Sequence, residues 1–496
     1  MNLLYVDLFC GAGGTSTGVE TAEINGDQCA KVVACVNHDA NAIASHAANH
    51  PEALHFTEDI RTLDLTNMVE HVSRMRELYP DAKLVLWASL ECTNFSKAKG
   101  GLPRDADSRT LALHLFRYIE ALQPDYIQIE NVEEFMSWGE LDDNGKPKSR
   151  TAGTDYVRWV KTVCSYGYEY DFRILNSADY GAYTARKRFF GQFAADGLPI
   201  SWPEPTHCKG GGVGLFHFNK WKPVREVLDF KDEGTSIFDR KKPLSEKTLV
   251  RIYTGLVKFV AGGKEAFLSK YFSGSPDSKN ISIEEPAHAV TTKDHHSIVK
   301  AKFLASYYGN GDNCSSIDNP SPTLTTKDRM ALINPTFIDM QYGNGTAMSI
   351  DQPAATVTTN PKFSMVTCKW HYLMNPQYMN AGGSVDAPCF TLIARMDKMP
   401  PYLIEVAGGG IGIEVYESDS PYTQKIKEFM ALYGIIDIKM RMLRIDELKL
   451  IMGFPKDYTL VGTQADQKKF IGNAVEVNMA KAICRATAMA VESVLV

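Results

Sequence analysis

Over its first two hundred residues the chain alternates short, continuously apolar runs with longer amphipathic stretches. The runs Leu3-Leu4-Tyr5-Val6, Lys31-Val32-Val33-Ala34-Cys35-Val36, Leu84-Val85-Leu86-Trp87 and Tyr126-Ile127-Gln128-Ile129 have almost no polar side. A strand covered on both faces has this signature, so they predict buried parallel strands. The amphipathic stretches between them predict crossover helices. The resulting β-α-β-α order implies an α/β fold, a doubly wound and mostly parallel sheet. Phe189-Phe190-Gly191-Gln192-Phe193 predicts one more strand, and the Pro- and Gly-rich stretch 196–222 predicts a boundary.

The pattern then changes. Ser282-Ile283-Glu284-Glu285-Pro286 recurs as Ser316-Ile317-Asp318-Asn319-Pro320, Ser349-Ile350-Asp351-Gln352-Pro353 and Ser384-Val385-Asp386-Ala387-Pro388, at separations of 34, 33 and 35 residues. After the first three comes a Thr-rich run, such as Thr323-Leu324-Thr325-Thr326-Lys327; the fourth has the decayed Thr391-Leu392-Ile393. Aromatic and β-branched residues broken by Asn-Gly and Pro turns predict a β-rich repeat unit over 267–404. A purely architectural β-stack accounts for this periodicity equally well. From Tyr422 the period is helical again, through Tyr422 to Leu432, Ile445 to Met452 and Ala474 to Val494. We therefore expect an α/β domain over 1–200, a β-repeat domain over 201–435, and a segment 436–496 that returns to the first.

Composition narrows the class. With 44% hydrophobic and 23% charged residues the chain is globular with ample core, and a net charge of −6 argues against wholesale coating of a nucleic acid. A local basic face remains compatible with DNA. The ten cysteines are scattered and form no CxxC pair, so neither a disulfide framework nor a metal site is expected. The start, Met1 to Asp7, is charged too soon for a signal peptide. No apolar run approaches the ~18 residues that span a bilayer. A cytoplasmic, reducing setting without membrane contact is the expectation.

Four constellations carry candidate chemistry. Asp7-Leu8-Phe9-Cys10-Gly11-Ala12-Gly13-Gly14 follows the first strand, where glycines let the backbone turn sharply and approach a ligand. The second strand ends near Asn37-His38-Asp39, where an acidic group suits a ribose hydroxyl. Glu91-Cys92-Thr93-Asn94-Phe95-Ser96 lies just past the strand at Leu84 to Trp87. Most cysteines are small core residues, but these polar flanks at a strand end suit a reactive thiol. Glu130, in Ile129-Glu130-Asn131-Val132, closes another strand and is a candidate acid, with a helix-capping pair as the alternative. Arg186-Lys187-Arg188 is a basic cluster, which can be a solvated face or a base and phosphate contact.

Together and in this order, these features resemble the DNA cytosine-5 methyltransferase family. The match continues through Asp179-Tyr180-Gly181, through Arg444 to Pro455, and through Ile471-Gly472-Asn473-Ala474-Val475. The resemblance implies the S-adenosylmethionine-dependent methyltransferase fold, with the β-repeat unit as target-recognition domain. It implies S-adenosylmethionine as cofactor, held by Asp7, Phe9, Gly11, Gly13, Gly14, Asn37, His38, Asp59, Ile60, Asn473 and Val475. It implies methylation of cytosine carbon 5, with Cys92 adding to carbon 6 of a flipped base while Glu130, Arg186 and Arg188 hold that base. Ser96, Lys97, Lys99 and Arg104 fall on the loop that in this family closes over DNA, and Lys293 and Lys327 are further candidate DNA contacts. The implied partner is double-stranded DNA, with a cognate restriction endonuclease where the enzyme serves a restriction-modification system. A monomer in the nucleoid-bearing cytoplasm is expected. Relatives acting on transfer RNA, and a catalytically impaired DNA-binding protein of the same fold, are the alternatives. The chain departs from the family at Glu91, where Pro usually precedes the nucleophile, and at Tyr183-Thr184, where Pro-Gln is usual. A third departure is Asn37, with Asp39 two residues on, where a ribose carboxylate is expected.

Overall fold

A computed structural model describes residues 1–90, 111–140, 147–212, 218–257 and 415–495 with short breaks, and only the backbone of strand segments between 258 and 414. The α/β part is built on a seven-stranded sheet. Its elements are β1 (Leu3–Leu8), α1 (Gly14–Glu20), β2 (Ala30–Val36), α2 (Ala40–Asn49), β3 (Leu54–Phe56), α3 (Thr66–Leu78) and β4 (Lys83–Ser89). They continue with α4 (Leu115–Leu122), β5 (Tyr126–Asn131), α5 (Thr154–Cys164), β6 (Tyr168–Asn176) and β7 (Lys187–Ala195). The spatial order is β3-β2-β1-β4-β5-β7-β6. Strands β1 to β5 pair in parallel, and β7 runs antiparallel between β5 and β6. This is the doubly wound, mostly parallel sheet expected from the apolar runs.

The antiparallel strands have a local cause. Only ten residues separate β6 from β7, too few for the crossover of a dozen or more that a parallel return needs. Their linker turns through Ser177–Tyr180 and Gly181, whose φ of 84° is left-handed. Strand β6 escaped the apolar-run reading because Glu169, Asp171 and Arg173 alternate with Tyr170, Phe172 and Ile174. It is an edge strand, held by rings such as Tyr170, which stacks on Phe193 at 4.4 Å.

Each face of the sheet has its own core. One face packs Leu86, Ile127, Phe135, Trp138, Trp159 and Phe193 beneath α3 to α5. The other is covered by the last helix, α10 (Val477–Leu495), through Met479, Ile483, Cys484 and Val491 against Leu3, Tyr5 and Val85. Fully buried aliphatic side chains contribute about 1.5–3 kcal/mol each, whereas one neutral hydrogen bond contributes about 1 kcal/mol. Packing therefore holds α10 in place. The bond from Gln128 Nε2 to Thr487 Oγ1 (2.9 Å) fixes its rotation instead. Helix α1 lies so close to α10 that a Cβ on Gly18 would sit 2.5 Å from the Val477 carbonyl oxygen.

The segment before α10 contains α6 (Glu246–Gly255), α7 (Pro421–Leu432), α8 (Ile445–Ile451) and α9 (Gln464–Asn473). The helix expected from Ala474 starts at Val477, because Glu476 caps it by accepting from the Met479 N–H (2.8 Å). The expected boundary at 435/436 falls at the start of the strand Ile435–Met442, which pairs antiparallel with Tyr402–Gly408 in a second, nine-stranded sheet.

The repeat has a backbone counterpart. In each copy a central strand pairs antiparallel on one side with a strand ending at or beside the repeated Ser, and on the other with a strand beyond the Thr-rich run. Phe267 faces Ser282 and Val299, Ala305 faces Cys314 and Ala331, Phe337 faces Ser349 and Val366, and Tyr372 faces Ser384 and Ile404. The first and last copies belong to the nine-stranded sheet, and the middle two form separate three-stranded sheets.

Candidate active site

The strand order reverses between β1 and β4: β2 and β3 lie on one side, β5 and β7 on the other. Such a switch point opens a crevice at the carboxyl ends of the strands, where α/β proteins place ligands. The glycine loop leaves β1 into this crevice. It turns through three left-handed residues, Phe9 (φ 59°), Gly11 (φ 52°) and Gly13 (φ 98°). The Gly13 N–H returns to the Cys10 carbonyl (3.0 Å), and the Tyr458 hydroxyl donates to the Ala12 carbonyl from behind. Position 13 favours glycine because its φ of 98° is strained for any L side chain, and a Cβ there would also lie 2.3 Å from the Tyr458 hydroxyl. At Gly14 the neighbour is the Val475 carbonyl oxygen, 2.5 Å from a built Cβ. A Cβ on Gly11 meets nothing within 4 Å, so that peptide faces open space.

Around this space stand polar groups that fit a nucleoside-bearing cofactor. Asn37 is half-buried and His38 exposed just after β2, and Asp59 is half-buried beyond β3 next to buried Ile60. The Arg61 guanidinium, 2.6 Å away, holds the Asp59 carboxyl below its usual range. Asp39 is engaged elsewhere: it caps α2 by accepting from the Asn41 and Ala42 N–H groups, and it pairs with Lys469 at 2.8 Å. That leaves Asn37, which accepts from the Asp39 N–H, at the ribose-side position. Asp7 is fully buried below the loop and accepts a hydrogen bond from Ser16 Oγ (2.9 Å), so it faces inward rather than into the crevice. Asn473 is exposed at the end of α9, while Val475 is buried against Gly14.

The opposite wall is built from charges. Glu130 lies near the end of β5, buried, with Arg188 Nε 3.2 Å from its Oε1. Burial pushes the Glu130 carboxyl above its ordinary range, against the opposing pull of Arg188 and Arg186. Arg186 is itself buried and donates to the Gly472 carbonyl (3.2 Å), which ties this wall to α9. Burial likewise brings Glu476, behind Arg186, up to about 7 despite hydrogen bonds to Asn478 and Met479. Sequence reading did not single out Glu476; its signal was an acidic residue directly after the Gly-Asn-Ala-Val motif.

Glu130 is the register partner of Ser89 on β4, three residues before Cys92 in the sequence. Cys92 itself, Ser96, Lys97, Lys99 and Arg104, together with Glu91, lie outside the described residues, as do Lys293 and Lys327. The structure thus brings together Glu130, Arg186 and Arg188 on one wall, and Phe9, Gly11, Gly13, Gly14 and Asn37 on the other. Among the described residues no helix is long and apolar enough to cross a membrane.

The family model described as C-5 cytosine-specific DNA methylase matches residues 3–222 and 378–488. The type II methyltransferase M.AgeI of Thalassovita gelatinovora is 29% identical over 211 residues, covering 42% of this chain and 44% of that protein. M1.HphI of Haemophilus parahaemolyticus is 28% identical over 241 residues, covering 47% and 58%. The chain spans about half the length of these curated relatives. Among solved structures, Spodoptera frugiperda DNMT2 aligns over 98% of this chain and 99% of that one, at 14% identity and a TM-score of 0.46.

Proposed function

The chain belongs to the C-5 cytosine-specific DNA methylase family, and on that premise we propose that it methylates carbon 5 of cytosine in double-stranded DNA, with Cys92 as covalent nucleophile. The observation that carries this reading is the buried Glu130–Arg188 pair, placed beside the strand that leads to Cys92. Three residues of chain span at most about 11 Å, so a thiol at position 92 can reach a base held on Glu130.

The raised Glu130 carboxyl keeps its proton to higher pH than an exposed glutamate. It can therefore donate to ring N3 of cytosine, while its other oxygen accepts from the exocyclic amine. Arg188 orients that carboxyl. Protonating N3 draws electrons from the ring, and the Cys92 thiolate adds at carbon 6, breaking the 5,6 double bond. Carbon 5 becomes nucleophilic. When bound, S-adenosylmethionine supplies an electrophilic methyl group at this point; the glycine loop, Asn37 and Asp59 are the residues that would hold it. Loss of the carbon 5 proton to a base then restores the double bond and expels the Cys92 thiolate. A stacked base cannot present its face to the thiolate, so the cytosine must be flipped, which costs a few kcal/mol.

Labelled S-adenosylmethionine with duplex DNA or transfer RNA tests this assignment. Label entering DNA, and lost in Cys92→Ser, supports it. Label entering only RNA moves the substrate to RNA, and DNA binding without transfer makes the chain a reader rather than an enzyme.

A further inference from the structure

Beneath the glycine loop four side chains with nitrogen or sulfur donors converge from four elements. Cys10 lies in the loop itself, Cys35 near the end of β2, His46 on α2 and His55 on β3. Cys35 and His46 are fully buried and Cys10 almost so. His55 is half-buried. Cys35 and His55 are register partners on adjacent strands, so their closeness is built into the sheet. The Cys10 and Cys35 sulfurs and a His46 ring nitrogen all lie within 4.8 Å of one another. Cys35 Sγ stands 3.6 Å from His46 Nδ1, and His46 Nδ1 stands 3.0 Å from His55 Nε2.

The 3.6 and 3.0 Å separations match two edges of a coordination tetrahedron. Bonds of about 2.3 Å to sulfur and 2.0–2.1 Å to nitrogen, at tetrahedral angles, put sulfur and nitrogen ligands about 3.6 Å apart and two nitrogens about 3.3 Å apart. Cys10, Cys35 and His46 form the compact trio, and His55, beside His46 and Cys35 but outside that trio, is placed to close on it as a fourth ligand. The hydrogen-bond pattern also frees the right atom. Ser16 Oγ donates to Asp7 and lies 2.8 Å from His46 Nε2. With Asp7 accepting from Ser16, the Nε2-protonated tautomer of His46 donates to Ser16 and leaves Nδ1 bare, facing Cys35 and His55. Metal-bound histidines are oriented in this way by a polar partner on the far nitrogen.

We infer that Cys10, Cys35, His46 and His55 form a structural site for a tetrahedral divalent cation of the zinc class, which pins the glycine loop to β2, α2 and β3. Two thiolates cancel the charge of such an ion and two imidazoles stay neutral, so the loaded site suits a buried position. With His55 as fourth ligand the set would be closed to water, which assigns it structure rather than catalysis. The site does not depend on the methyl-transfer reading.

The test uses the full-length chain without a histidine tag, purified under reducing conditions and desalted. Elemental analysis should find about one zinc per chain. The metal-stripped protein titrated with cobalt(II) should develop a thiolate-to-cobalt charge-transfer band and the strong visible bands of a tetrahedral ion. Half-buried His55 tolerates His55→Gln, which should remove most of the bound metal while circular dichroism shows a folded chain. Cys35→Ser should remove it as well, and Cys164→Ser, a half-buried cysteine elsewhere, should keep it. Absence of zinc together with absence of the cobalt bands would overturn the inference, leaving a hydrogen-bonded thiol–imidazole cluster. Equal metal in wild type and His55→Gln, or a Cys10–Cys35 disulfide in the reduced preparation, would overturn it too.

Discussion

The two walls of the crevice are made differently. The wall next to β1 is shaped by backbone: left-handed turns at Gly11 and Gly13, and glycines at 14 and 18 that admit the chain around α10. The wall next to β5 is made of buried charge, with Glu130 against Arg188 and Arg186 fastened to Gly472. A backbone wall binds by shape and tolerates loss of any single polar contact. A buried-charge wall sets a protonation state, and losing one member leaves an uncompensated charge or an unprotonated base. The difference separates holding a cofactor from activating a base.

The largest effect should follow from Glu130→Gln. It removes the group that shifts a proton to N3, so kcat should fall about a hundredfold or more, with KM for S-adenosylmethionine little changed. A matching rise in that KM would mean that the walls are not separable. Arg188→Met sharpens the same point through pH. Arg188 lowers the carboxyl pKa that burial raises, so its loss should move the alkaline limb of kcat/KM upward; a downward shift would contradict the assigned roles. On the backbone wall, Gly18→Leu forces α1 away from α10, where a Cβ already meets Val477 O at 2.5 Å. Overpacking of this kind costs about 1–3 kcal/mol, read as a lower thermal midpoint together with weaker cofactor binding. The smallest change should come from Asp59→Ala: loss of about 1 kcal/mol of hydrogen bonding, or roughly fivefold in the cofactor Kd, with kcat retained.

How far the sequence revealed all this follows from what each wall is made of. The apolar runs at Leu3, Lys31, Leu84 and Tyr126 marked four parallel strands, because burial on both faces leaves few polar positions. Three-residue β3 and the alternating edge strand β6 lacked that signature. The order of motifs marked both walls, yet the inward turn of Asp7 follows from its contact with Ser16. Asp39 is drawn away by the Asn41 and Ala42 N–H groups and by Lys469, 430 residues on, a pairing that only the tertiary fold sets. Nor was the Cys10–Cys35–His46–His55 cluster legible. Its members have no ligand-like spacing in the chain, and only parallel pairing of β1, β2 and β3 brings them together. The repeat was visible as a period, while its division into three-stranded units emerges from the strand register.

The central claim is that a thiolate from Cys92 adds to a cytosine held by Glu130. A duplex carrying 5-fluorocytosine tests it directly, since after methyl transfer the fluorine at carbon 5 cannot depart as a proton does, and the Cys92 bond to carbon 6 persists. Incubation with S-adenosylmethionine should give a protein–DNA adduct that survives denaturation, maps to the peptide containing Cys92, and is absent in Cys92→Ser. An adduct that still forms in Cys92→Ser, or methyl transfer to ordinary duplex DNA with no adduct on the fluorinated one, would contradict the account.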